Sequence, residues 1–260
     1  MPVLPRLVVP EVLDELAADD PRAQRSRRDL RIVHTVMRSP SILRRLIARL
    51  SLEASPCRII ELGAGDGSLM LRVAASLGAR LPRVELTLLD RVDLLTDATR
   101  AAYRRLGWEA TGVRADVLDW AGAAASDPYD LCIVALFLHH FRAAQLEAIL
   151  QGIACRANAL VCIEPRRSAL ARVAAGCVGV IGAGAVTRGD AVKSVVAGFR
   201  DGELTQAWNG SAGNGTARIG TEWILEEFAA LPFTHCFTGR RVAQPRATQP
   251  RATESHVPPR

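Results

Sequence analysis

Arg58-Ile59-Ile60-Glu61-Leu62-Gly63-Ala64-Gly65-Asp66-Gly67-Ser68-Leu69-Met70 is the stretch on which the fold turns. Ile59 to Leu62 reads as a short buried strand, apolar except for Glu61. Glycines then alternate at 63, 65 and 67, and an apolar-rich run from Leu69 to Leu77 comes next at helical spacing. The predicted order is strand, glycine turn, helix. Glycine suits such a turn because it tolerates positive φ and lets backbone approach a ligand closely. The helix behind the turn points its unpaired N–H groups, and the positive end of its dipole, at whatever lies above.

The spacing is Gly-x-Gly-x-Gly led by a glutamate, not the Gly-x-Gly-x-x-Gly of dinucleotide enzymes. A negative charge at Glu61 gains nothing beside a pyrophosphate. It fits a ligand that carries positive charge, such as the amino group and sulfonium of S-adenosylmethionine. A tight strand-to-helix turn of any α/β protein is the plain alternative, and the acids that close the next two strands argue against it.

Val84 to Leu89 is a second apolar strand and ends at Asp90, where an acid can accept hydrogen bonds from both ribose hydroxyls of a nucleoside. Leu94 to Leu106 reads as a helix closed by Gly107. Trp108 to Ala115 is a third strand that ends at Asp116, whose carboxylate can reach an adenine amino group while the Val117 N–H meets a ring nitrogen. Glu61, Asp90 and Asp116 thus close three successive strands. In an open sheet of alternating strands and helices those ends share one rim, where ligands bind. Asp130 to Phe137 is a fourth strand, followed by Leu138-His139-His140-Phe141 and a helix from Arg142 to Cys155. Ala159 to Ile163 is a fifth, followed by Glu164-Pro165-Arg166-Arg167.

Beyond it, Ser168 to Val180 and Ala191 to Phe199 read as helical, with Gly182, Gly184 and Gly189 loosening the segment between them. Asn209 to Gly220 reads as a glycine-rich surface loop. Glu222 to Phe228 and Thr234 to Arg241 read as a hairpin turning at Leu231-Pro232, which adds one antiparallel strand to an otherwise parallel sheet. Ahead of the first strand, Glu11 to Ala18, Pro21 to Met37 and a piece starting at Ser39-Pro40 read as helices. The expected organisation is an N-terminal helical cap over residues 1–56, one α/β domain over 57–241, and a tail over 242–260. The tail repeats Gln244-Pro-Arg-Ala-Thr at Gln249-Pro-Arg-Ala-Thr and has no apolar run, the pattern of a disordered segment.

Composition narrows the function. At 260 residues and 49% hydrophobic the chain can bury one good-sized core. No apolar run is long enough for a membrane span, and the start shows no signal-peptide pattern. The six cysteines stand singly, as free thiols of a reducing cytoplasm do, and suggest no metal site. A net charge of +6 and a pI near 9.4 raise nucleic acid as a partner. The excess is arginine scattered through the N-terminal helices and the tail, without a dense basic helix interleaved with aromatics, so nucleic acid is not the expected partner.

Taken together, Glu61-Leu-Gly-Ala-Gly-Asp-Gly67, Leu88-Leu-Asp90, Ala115-Asp116-Val117 and Asp130-Leu-Cys-Ile-Val-Ala-Leu-Phe-Leu-His-His-Phe141 resemble class I S-adenosylmethionine-dependent methyltransferases over residues 57–241. The last stretch, with Glu164-Pro-Arg-Arg-Ser168 and Asp19-Asp-Pro-Arg-Ala-Gln-Arg-Ser-Arg-Arg-Asp29, looks like the small-molecule methyltransferases of bacterial biosynthetic clusters. The resemblance implies a Rossmann-like, seven-stranded, mostly parallel sheet with a terminal antiparallel strand, flanked by helices. It implies that Gly63, Gly65 and Gly67 line the methionine part of S-adenosylmethionine with Glu61 near its amino group, that Asp90 binds ribose, that Asp116 and Val117 bind adenine, and that Ala135 and Leu136 lie by the reactive end. The Asn-Pro-Pro-Tyr or Asp-Pro-Pro-Tyr of base-methylating enzymes is missing after the fourth strand, and a histidine pair stands nearby.

The expected activity is therefore methyl transfer to a small-molecule acceptor, on oxygen. His139 and His140 are candidate bases, because a neutral imidazole is available at cytoplasmic pH. Arg166 and Arg167 are candidates to hold an acidic or phenolic acceptor. The alternatives are a non-catalytic S-adenosylmethionine-binding module, an RNA or protein methyltransferase supported only by charge, and a nicotinamide dehydrogenase with the wrong glycine spacing. The acceptor and the oligomeric state are not legible.

Overall fold

The computed structural model describes residues 5–50, 52, 54–124, 127–212 and 222–242. The expected disordered tail lies outside the described residues from position 243 on, and so does the expected loop at 213–220.

A seven-stranded sheet runs through the centre in the order β3-β2-β1-β4-β5-β7-β6. Its strands are β1 (Cys57–Leu62), β2 (Val84–Asp90), β3 (Trp108–Arg114), β4 (Leu131–Ala135), β5 (Ala159–Pro165), β6 (Trp223–Ala230) and β7 (Thr234–Arg241). The first five pair in parallel. β7 runs antiparallel to both β5 and β6, so the one reversed strand lies inside the sheet and the hairpin's first strand forms the edge. Around the sheet stand α1 (Val12–Glu15), α2 (Pro21–Val36), α3 (Ser39–Ile47), α4 (Ser68–Leu77), α5 (Asp97–Arg104), α6 (Val117–Gly122), α7 (Ala143–Arg156), α8 (Ala169–Gly176), α9 (Ala185–Ala197) and α10 (Glu203–Ala212).

The strands read as continuous apolar runs because both faces of the sheet are covered. Ile59, Ile133, Val161 and Ile163 face one layer, where α3 contributes Leu43 and Ile47 and α4 contributes Met70 and Val73. The intervening residues Ile60, Leu62, Cys132, Val134, Leu160 and Cys162 face the other, against Ile149 and Ile153 of α7 and Leu204 and Trp208 of α10. This is the two-residue alternation of a strand, with both sides buried. A smaller cluster of Ala171, Ala175 and Val195 joins α8 to α9.

Several boundaries differ from the sequence reading. β5 runs on to Pro165 and draws Glu164 into the sheet, fully buried. α9 starts at Ala185 and takes Gly189 into its interior, where one glycine costs only about 1 kcal/mol and packing outweighs it. α10 occupies Glu203–Ala212, part of which read as loop. Its apolar anchors Leu204 and Trp208 stand four residues apart, enough to seat one helical face on the sheet.

The helices ahead of β1 are tied to the later part of the chain. Asp29 of α2 accepts hydrogen bonds from the Gly184 N–H at 2.8 Å and the Thr187 hydroxyl at 3.0 Å. Only Val12–Glu15 of the expected first helix is helical. The chain around it, residues 5–15, is a strap across the mouth of the sheet. Arg6 donates to Ala197 O at 2.8 Å and Phe141 O at 2.9 Å, and Asp190 accepts from Val12 N–H at 2.9 Å and Leu13 N–H at 3.0 Å.

Candidate functional site

β1 and β4 are parallel neighbours, yet the chain leaves them toward opposite edges of the sheet. Such a switch point leaves a crevice beyond the strand ends. A cavity of about 610 Å³ fills it, lined by Glu61, Gly63, Gly65, Asp90, Asp116, Val117, Ala135, Leu136, His139 and His140 among others. The structure thus brings together the sequence-predicted residues of β1 to β4, with Gly67 just behind them as the N-cap of α4 at φ 71°.

The glycine turn is needed as glycine. Gly63 has φ +69°, and a Cβ there would lie 2.3 Å from the Phe137 ring, inside any tolerable contact. Gly65 has φ +56° with open space where a Cβ would be, so its backbone faces the cavity. Asp90 fixes the turn: its Oδ2 accepts from Gly65 N–H at 2.9 Å and its Oδ1 from Val92 N–H at 3.0 Å. A carboxylate has about four lone-pair sites, so both oxygens can still accept from a ligand. Asp116 caps α6 through Oδ1, which accepts from Leu118 N–H at 2.8 Å. Leu136 holds φ 54°, the left-handed region that a branched side chain rarely adopts, just where the cavity meets β4.

Glu61 is 2% exposed, and its Oε2 has no hydrogen-bond partner among the described residues. Burial, with the charges of Asp90 and Asp66 nearby, pushes its carboxyl well above the usual carboxylate range. A buried acid without a cation is unfavourable, and this one lines the cavity wall.

Past β4 the backbone wraps around Glu164. Its Oε1 accepts from Phe137 N–H at 3.0 Å and Leu138 N–H at 2.7 Å, and its Oε2 lies 2.7 Å from His139 Nδ1. His139 is 3% exposed, and its Nε2 stands 3.4 Å from Glu11 Oε1. Burial alone would lower its pKa, but Glu11 and Glu164 outweigh it and raise the imidazole to about 9. The Glu11 carboxyl moves the other way: burial would raise it, and the two histidines and Ser194 hold it below its ordinary value. His139 is therefore an imidazolium at neutral pH, not the neutral base that the sequence suggested. His140 is more open, its Nδ1 is 3.0 Å from Asp14 Oδ2, and its ring centroid lies 4.2 Å from that of His139. Glu11, His139 and His140 offer ligand atoms all within 4.8 Å of one another, a grouping the isolated cysteines gave no reason to expect.

Arg166 and Arg167 do not line the cavity. Arg167 is buried, donates to Gly198 O and pairs with Glu203. Arg166 stands 3.6 Å from Asp201. β5 ends later than expected, and both side chains serve the segment that leads into α10.

The sequence reading passed over Glu11, Asp14 and His34 at the cavity wall. His34 stands on α2, and burial and the charge of Arg72 push it down to about 4, so it is an uncharged imidazole. A histidine on the apolar side of α2 and acids in an apolar N-terminal stretch were the only signals available. Part of the cavity wall is apolar: Leu30, Val33, Met37, Phe141 and Val195.

Comparison with known structures identifies the fold. The mitomycin 7-O-methyltransferase MmcR superposes with a TM-score of 0.56 at 17% identity, over 88% of this chain and 60% of that one. An O-methyltransferase family protein from Burkholderia thailandensis gives 0.55 at 16%, over 86% and 61%. Magnesium protoporphyrin IX methyltransferase from Synechocystis with bound SAH gives 0.50 at 14%, over 83% and 86%. The fold is the Rossmann-like one of these methyltransferases. The chain spans about six-tenths of the length of the first two. No protein-family model matches the chain, and no curated protein matches it. Among the described residues no helix is long and apolar enough to cross a membrane.

Proposed function

We propose that the protein is an S-adenosylmethionine-dependent methyltransferase acting on an oxygen atom of a small molecule in the cytoplasm. The observation that carries this reading is the buried, unpartnered Oε2 of Glu61 in a cavity wall beside the bare backbone of Gly65. An ammonium group suits it, and the residues present fit the cofactor. Gly63, Gly65 and Gly67 leave room for its methionine part, Asp90 accepts from ribose, and Asp116 with the Val117 N–H faces adenine. Ala135 and Leu136 flank the reactive end. When bound, the sulfonium supplies an activated methyl group.

The chain's own part is alignment and proton handling. The acceptor lies against the apolar wall, its hydroxyl toward the histidine pair. His139, charged and enclosed, positions the loop after β4. His140 is the imidazole placed to take the proton, and Asp14 on its Nδ1 holds the ring. The likeness to enzymes described as O-methyltransferases supports an oxygen acceptor, and six free cysteines among the described residues support a reducing compartment. The test is calorimetric binding of S-adenosylhomocysteine, then incubation with methyl-labelled cofactor and a panel of hydroxylated aromatic and aliphatic compounds. One-to-one binding and an alkali-stable methyl ether are expected. A protein that does not bind S-adenosylhomocysteine overturns the reading.

A further inference from the structure

We propose that Glu11, His139 and His140 form a site for a divalent transition-metal ion at the acceptor end of the cavity. The three ligand atoms lie within 4.8 Å of one another, on the cavity wall. His139 Nε2 is buried, has no hydrogen-bond partner among the described residues, and lies 3.4 Å from Glu11 Oε1. Two ligands bound tetrahedrally to zinc at its usual bond lengths stand about 3.4 Å apart. That separation is long for a hydrogen bond and right for two ligands of one ion.

The surroundings are those of ligating histidines. A metal-bound imidazole gives its other nitrogen to a carboxylate, which fixes ring and tautomer. Glu164 does this for His139 at 2.7 Å, itself held by the Phe137 and Leu138 N–H groups. Asp14 stands 3.0 Å from His140 Nδ1 and would do it for that ring with Nε2 as the ligand. Two imidazoles and one carboxylate suit Zn²⁺, Co²⁺, Mn²⁺ or Fe²⁺ rather than Mg²⁺ or Ca²⁺. Three protein ligands leave at least one position open to the cavity, the arrangement of a working site, not a structural one.

The consequence for the acceptor rests on the methyltransferase reading. With an ion bound, His140 would be a ligand in place of its role as base, and a hydroxyl bound to the ion would be acidified and give its proton to solvent. An acceptor hydroxyl would fill the open position, and a second oxygen beside it, as in a phenol with an adjacent hydroxyl or carbonyl, would fit if the ion expands to five ligands.

The experiment is metal titration of chelator-treated full-length protein without cofactor, so its outcome is independent of methyl transfer. Zn²⁺ should bind one ion per chain by calorimetry, Co²⁺ should give the visible absorption of a low-coordinate site, and excess Mg²⁺ should not compete. Glu11→Gln and His140→Gln should each weaken Zn²⁺ binding by at least about tenfold, while His34→Gln, in the same cavity, should leave it unchanged. Circular dichroism checks that each variant is folded. Absence of Zn²⁺ and Co²⁺ binding by the parent, or equal affinity in folded Glu11→Gln and His140→Gln variants, overturns the site.

Discussion

Replacing Glu61 by glutamine keeps the shape of the side chain and removes its charge. In the free protein that charge is unwelcome: the group is 2% exposed, and burial with Asp90 and Asp66 raises its pKa well above 4.5. A group whose pKa is raised on folding contributes stability below its unfolded value, and loses it as pH rises through the folded value. The parent should lose that contribution as pH rises from the ordinary carboxylate range through the raised folded value, and Glu61→Gln should not. The variant is therefore expected to melt at an equal or higher temperature at neutral pH. Cofactor binding should move oppositely. A charge-assisted hydrogen bond contributes about 1.5–3 kcal/mol, and 1.4 kcal/mol is tenfold, so the Kd for S-adenosylhomocysteine should rise about 10- to 100-fold. The parent's affinity should also climb with pH as Glu61 ionises, and the variant's should stay flat. Calorimetry across that range with thermal melts of the free proteins reads both effects. A Kd within twofold of the parent's, or a large loss of stability at neutral pH, would refute the reasoning.

Further perturbations probe the rest of the site. Gly63→Ala places a methyl 2.3 Å from the Phe137 ring at φ +69°; it should cost about 1–3 kcal/mol in urea unfolding, and an unchanged midpoint would mean that the turn relaxes freely. Arg167→Met leaves Glu203 without its buried partner; breaking such a pair costs about 3–5 kcal/mol when both groups are buried and less here because Glu203 is one-third exposed, so a clear drop in melting temperature is expected with no selective change in acceptor KM, and the reverse pattern would return this arginine to the substrate. His139 is raised from 6.5 to about 9 by Glu11 and Glu164; its hold on the strap should be complete below 6.5 and fade as pH passes about 9, seen as faster hydrogen exchange in residues 5–15 after correction for intrinsic rates. His139→Gln should abolish that pH dependence, and a strap equally protected at both pH values in the parent would contradict the pairing.

The sheet was legible because its strands are buried on both faces and spell uninterrupted apolar runs, as at Ile59-Ile60 and Cys132-Ile133-Val134. The cofactor rim was legible because Glu61, Asp90 and Asp116 sit at fixed offsets from those runs, which local sequence records. The acceptor end was not. The protonation of His139 depends on Glu11 and Glu164, 128 residues before it and 25 after it in the chain, and no local pattern encodes a contact across the fold. Arg166 and Arg167 read as rim residues because the fifth strand read as ending at Ile163, yet the β5–β7 pairing continues through Pro165 opposite Thr234. Asn209 to Ala212 read as loop from its glycine-rich continuation, although the preceding turns of α10 are anchored by Leu204 and Trp208.

The strap also imposes an order on assembly. Its residues are made long before their partners: Arg6 bonds to Ala197, Val12 and Leu13 bond to Asp190, and Lys193 bonds to Pro10 O. Contacts so distant in sequence wait on the chain that supplies them. During synthesis the strap stays undocked until Ala197 has emerged, so a segment made early is among the last to reach its place.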